Sequence, residues 1–105
     1  MNNETNLGRK TLSQIFNVLV GAEFRNISEE SRKDIYERLT EHGFEKIPTI
    51  EAAWEMRCEA EDETDAKDKA IQGFINVSRT YPFELGLVVQ CGTSQILRRK
   101  KKFDP

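Results

Sequence analysis

The amino-acid sequence predicts an α+β fold in which two helices cover one face of an antiparallel sheet. Three observations carry that prediction. Apolar residues alternate with polar ones near residues 14–24, 53–60 and 83–91, the period of a strand with two unlike faces. Between them, residues 29–42 and 62–79 repeat apolar side chains at helical spacing. The 105 residues, 37% apolar and 32% charged, suit one domain with one core, too apolar for a disordered chain and too polar for a membrane-embedded one.

The first strand is predicted over residues 14–24. Phe16, Val18, Val20, Ala22 and Phe24 mark one face, and Ile15 and Leu19 the other. The stretch Asn26-Ile27-Ser28 then supplies helix-capping candidates, followed by Glu29 and Glu30, where the helix dipole favours negative charge. A helix follows over residues 29–42, with Ile35, Tyr36 and Leu39 as its apolar stripe and Gly43 in the position of a left-handed cap. Pro48 withholds a backbone donor, so residues 45–60 divide into a short strand, 45–48, and a second one, 53–60. In the latter, Trp54, Met56, Cys58 and Ala60 alternate with Glu55, Arg57 and Glu59.

Asp62 caps the next helix, whose stripe is Ala66, Ala70, Phe74 and Val77, widened by Ile71 and Ile75. Pro82 ends it, because the residue before a proline is driven out of the helical region. Residues 83–91 form the next strand, Gly92-Thr93-Ser94 turns, and residues 95–100 are expected to form a last, basic strand. The order is β-α-β-β-α-β with an extra C-terminal strand, the split arrangement of ferredoxin-like domains. The division is a disordered arm over residues 1–12, a single ferredoxin-like domain over 13–100 and a basic tail over 101–105. With helices on one side only, Ile15, Leu19, Val88 and Leu97 are left on the other face. A second copy of the chain, forming a two-fold dimer, is the expected cover.

Charge is unevenly placed. The segment from Arg98 to the C-terminus holds five cations and one anion, so residues 1–97, eleven basic against seventeen acidic, carry −6. Arg98, Arg99, Lys100, Lys101 and Lys102 are therefore the candidate contact with nucleic acid or another partner, through phosphate attraction and counterion release. A solvated tail guarding a sheet edge explains the same run. No stretch approaches the roughly 20 apolar residues of a membrane span, and the polar N-terminus lacks a signal-peptide core, so no membrane association and a cytoplasmic setting are expected.

Catalytic machinery is sparse. His42 is the lone histidine, which removes triads and histidine-rich zinc sites; Cys58 and Cys91 lack CxxC spacing and read as buried, reduced thiols. The acids Glu59, Glu61, Asp62, Glu63, Asp65 and Asp68 lack calcium-loop spacing and suit a solvated helix start. The glycines are scattered singly, with no phosphate-binding loop. No cofactor and no metal are implied by the residues themselves.

The stretch Ser28-Glu29-Glu30-Ser31-Arg32-Lys33 through Leu39, followed by His42-Gly43-Phe44-Glu45-Lys46-Ile47, resembles small ferredoxin-fold proteins of two kinds. These are the CRISPR adaptation nuclease-like subunit and the GhoS-type antitoxin endoribonucleases. The likeness covers residues 16–97 in element order. It implies a regulatory role in toxin–antitoxin or phage-defence systems, or a metal-dependent endonuclease acting on RNA or DNA. Metal-dependent members carry an aspartate at the end of the first strand, where this chain has Ala22-Glu23-Phe24. The resemblance thus makes Glu23 the candidate catalytic carboxylate, two copies clamping Mg²⁺ across a dimer axis; an exposed glutamate at a strand end is the simpler account. The leading expectation is a dimeric macromolecule-binding module, with a possible protein partner and without an active site.

Overall fold

A computed structural model describes residues 13–104 of the chain. The proposed N-terminal arm, residues 1–12, lies outside the described residues.

Strand β1 (Gln14–Arg25) pairs antiparallel with both β3 (Ala53–Ala60) and β4 (Glu84–Gly92). A two-residue strand, β2 (Glu45–Lys46), flanks β3, so the sheet runs β2-β3-β1-β4 and is antiparallel throughout. Helices α1 (Glu29–Glu41) and α2 (Glu63–Ser78) connect β1 to β2 and β3 to β4. Each helical crossover spans one intervening strand, β3 in the first case and β1 in the second.

Both helices share one core with one sheet face. Phe16, Val18 and Val20 of β1 and Trp54, Cys58 and Ala60 of β3 meet Ile35 and Leu39 of α1 and Ala66, Ala70, Phe74 and Val77 of α2. These are the residues that the two periodicities placed inward. Trp54 sits at the centre, edge-on to Tyr36 at 5.0 Å and to Phe74 at 5.2 Å, the tilted geometry that aromatic quadrupoles favour. Phe44 closes the far side against Phe74 at 5.4 Å.

The helix boundaries follow the capping residues. The Ser28 hydroxyl accepts from the Ser31 N–H, and the Asp62 carboxylate accepts from the Asp65 N–H. At the end of α1, Gly43 takes φ +91°, which lets the chain reverse and Phe44 drop into the core. His42, the C-cap residue, places its ring Nδ1 2.8 Å from the Arg38 carbonyl, so the lone histidine finishes a helix. The acidic cluster also serves α2's start: Asp65 accepts from the Glu61 N–H at 3.0 Å and lies 3.4 Å from Lys69.

Residues 45–60 form a hairpin, as Pro48 indicated. Strand β2 stops at Lys46, shorter than the expected 45–48, because the Ile47 N–H still reaches the Ala53 carbonyl at 2.9 Å but Pro48 has no donor to continue. Lys46 Nζ then donates to the Ile50 carbonyl and gathers the loop.

The expected fifth strand is absent: residues 95–104 carry no strand. The chain leaves β4 and crosses the outer face of the sheet instead of running back along the β4 edge. Two polar anchors direct it. Asn17 Nδ2 donates to the Ser94 carbonyl at 2.8 Å, and Arg98 reaches Glu55 on β3 and Glu45 on β2. Cys91 is a second departure, half-buried where a buried thiol was expected, because it lies near the open end of the edge strand.

Candidate functional site

The structure separates the sequence-nominated residues into three places. Glu23 stands on the outer face near the end of β1, largely exposed and 3.1 Å from Arg25. Among the described residues no group of three histidine, cysteine, aspartate or glutamate side chains converges on a point where an ion would sit. Among the described residues Glu23 therefore belongs to no such group.

The basic run is split by its first member. Arg98 Nε donates to Glu55 Oε2 at 2.9 Å, and its NH2 group lies 2.5 Å from the same oxygen and 3.1 Å from Glu45 Oε1. The Glu55 carboxylate, with Glu45 behind it, raises the guanidinium's pKa above its ordinary value. Arg98 is thereby committed to the sheet. Arg99, Lys100, Lys101 and Lys102 remain exposed, with Lys101 Nζ 5.7 Å from the Phe103 ring.

The outer face keeps the expected apolar positions open: Ile15 is 45% exposed, Leu19 36%, Val88 73% and Leu97 76%. They are interspersed with Asn17, Glu23, Glu55, Arg57, Glu59 and Gln90, and the chain's own residues 94–98 run across this surface. The face is thus mixed and acidic, and no aromatic side chain on it offers a base a stacking platform.

The larger feature escaped the residue list. Between α2 and the free edge of β4 lies an open groove of about 850 Å³, floored by Ile71, Ile75, Phe83, Leu85, Leu87 and Val89. Lys67, Asp68 and Arg79 stand at its rim. Two signals pointed to it: Ile71 and Ile75 widen the α2 stripe beyond what one sheet covers, and β4 carries no charge after Glu84. The groove is hidden in the sequence because residues 95–100, expected as a strand, cross the outer face instead.

Among the described residues the backbone beside this groove has no main-chain partner. The Ala22 N–H points to Ala52 on the β3 side, so the odd-numbered residues of β1 turn toward β4, where Leu19 opposes Gln90 and Gly21 opposes Val88. The even-numbered residues of β4 are consumed in that ladder. Leu85, Leu87, Val89 and Cys91 consequently direct their N–H and C=O groups to the open edge, and the Cys91 N–H donates to the side chain of its neighbour Gln90 at 3.1 Å. The residues with free backbone groups are also those whose side chains floor the groove.

Comparison with known families, with characterised proteins and with solved structures finds no match to this chain.

Proposed function

We propose that the chain is a small, non-catalytic binding module of ferredoxin-like fold whose working surface is the edge of β4 with the groove beside it. The fold assignment is supported by the element order β-α-β-β-α-β, with each crossover passing over one inserted strand. A regulatory role in a toxin–antitoxin or phage-defence setting is the corresponding biological proposal.

One observation carries the binding role: an edge strand that carries no charge after Glu84 and turns main-chain groups outward lies beside an apolar trough. Natural monomers blunt long edges with charge, proline or a covering segment. The opposite edge is blunted in that way, since β2 is two residues long and both are charged. Strand β4 is nine residues long and has none of these guards beyond Glu84. An extended segment added there gains main-chain hydrogen bonds from the edge and burial from the groove, the two components of recognition by strand addition.

The test is photo-crosslinking in cells from a benzophenone amino acid at Asp68, which is exposed on the groove rim and packs nothing in the core. The expected result is a discrete protein adduct, lost when the groove residue Leu87 is changed to Asp. Absence of any protein adduct overturns the reading. So does cleavage of labelled RNA or DNA in Mg²⁺ or Mn²⁺ that disappears in Glu23→Gln, because the endonuclease alternative then replaces it. Association that vanishes on deleting residues 99–105 and falls steeply with salt assigns binding to the basic tail instead.

A further inference from the structure

We infer that the strand added to β4 is β4 of a second copy, in the antiparallel register that sets Val88 against the partner's Val88. The inference rests on the reading of the β4 edge as the working surface and names its occupant.

The geometry of the edge selects the register. Only odd-numbered residues of β4 offer free backbone groups, so directly bonded partners across the new interface must both be odd. Of the registers that satisfy this under two-fold symmetry, one uses the whole strand. It pairs Leu85 with the partner's Cys91 and Leu87 with the partner's Val89, placing the symmetry axis at Val88. On the inner face these pairs join apolar side chains over the groove. On the outer face Gly86 meets the partner's Gln90, and Glu84 meets the partner's Gly92. No like charges are opposed anywhere along the strand.

Charge at the rim agrees with the same axis. The Cys91 thiol donates to the Glu63 carbonyl at 3.5 Å, which fixes the start of α2 beside the end of β4. Arg79, at the other end of the helix, sits beside the start of β4. A two-fold axis at Val88 therefore brings the start of one α2, where Asp68 stands on the groove rim beside Lys67, toward the partner's Arg79. The interface is self-complementary, the condition for a closed dimer.

It also accounts for Val88. This valine is 73% exposed at mid-strand, with its side chain over Gly21 of β1, and the axis would set it beside its own symmetry mate. The outer face is the less favourable seam, because it carries Glu23, Glu55 and Glu59 and is crossed by residues 94–98.

The experiment measures mass by sedimentation of the full chain from low to high micromolar concentration, together with Val88→Lys and Val88→Asp. The expected result is twice the 12.1 kDa chain mass for the native protein. Each single variant should dissociate about tenfold more readily, from like charge across the axis, and an equal mixture of the two should recover a heterodimer. Val88 is exposed, so neither variant should disturb the monomer fold; circular dichroism verifies this. Amide exchange at Leu85, Leu87 and Val89 should also slow with protein concentration.

A native chain that stays at 12.1 kDa overturns the inference, as does a dimer indifferent to both Val88 variants. In either case an Asp68 crosslink to a different protein leaves the strand-addition reading standing, and the absence of any adduct removes both.

Discussion

The Arg98 guanidinium and the Glu55 carboxylate, 43 positions apart in the chain, meet on the outer face of the sheet at 2.9 Å. This contact turns the last basic segment across the strands instead of alongside β4. Replacing Arg98 with Ala should free residues 95–104, because among the described residues the remaining polar anchor to the sheet is Asn17, through Ser94. The expected readout is faster proteolysis after Gly92 and faster amide exchange in that segment. The core-limited melting temperature should change little, since the half-buried pair lies on the outer face of the sheet, away from the core. Unaltered proteolysis would show that the segment is held by other contacts.

That contact also explains what the sequence did and did not disclose. Strands β1, β3 and β4 and both helices were legible because each has a single amphipathic period and a local stop: Ser28, Gly43, Asp62 and Pro82. Residues 95–100 have no such period, and their course is set by long-range partners, Glu45, Glu55 and Asn17, that no window of neighbouring residues contains. The misreading of this segment hid the open edge of β4, and with it the groove. Glu23 and the basic run were visible as residue types, but type alone did not show that Arg98 is already paired.

Gly43 provides a local test of the first crossover. Its φ of +91° is costly for any side chain with a Cβ, although no atom lies close enough to clash. Gly43→Ala should lose about 1–2 kcal/mol in urea unfolding, a conformational cost without cavity or overlap. A neutral result would mean that the backbone relaxes out of the left-handed region.

Phe74 tests the core. It is fully buried and touches the rings of Phe24, Phe44 and Trp54, so truncation removes contacts to both sheet and loop. Phe74→Ala should cost about 3–5 kcal/mol, a large share of what a domain of this size possesses. Loss of cooperative unfolding and of near-ultraviolet aromatic dichroism is the accompanying sign; full retention of both would contradict the packing described.

The thiols should differ in rate. Burial pushes both the Cys58 and Cys91 pKa values up, so neither is an activated nucleophile at neutral pH. Cys91 is the more accessible and should react first with a disulfide reagent, while Cys58 should react only as the domain opens. Pairing at β4 would further slow Cys91 as protein concentration rises. Equal rates for both would contradict the burial difference.

Tyr81 supplies a pH signature with a defined sign. Its hydroxyl donates to Asp34 Oδ2 at 2.5 Å, and that hydrogen bond, followed by burial and the Asp34 charge, raises the phenol pKa above its ordinary value near 10. A group whose pKa is higher in the folded state stabilises fully below its unfolded pKa. That contribution is then lost as pH rises through the folded one. The contact between α1 and the segment leading into β4 should therefore be intact at neutral pH and weaken only in strong alkali, where tyrosinate faces Asp34. In a Tyr36→Phe background, absorbance at the tyrosinate band isolates Tyr81, whose midpoint should lie above that of a free tyrosine. Asp34→Ala should return the midpoint toward the ordinary value, because the acceptor and the nearby negative charge leave together. A midpoint insensitive to Asp34 would assign the shift to burial alone.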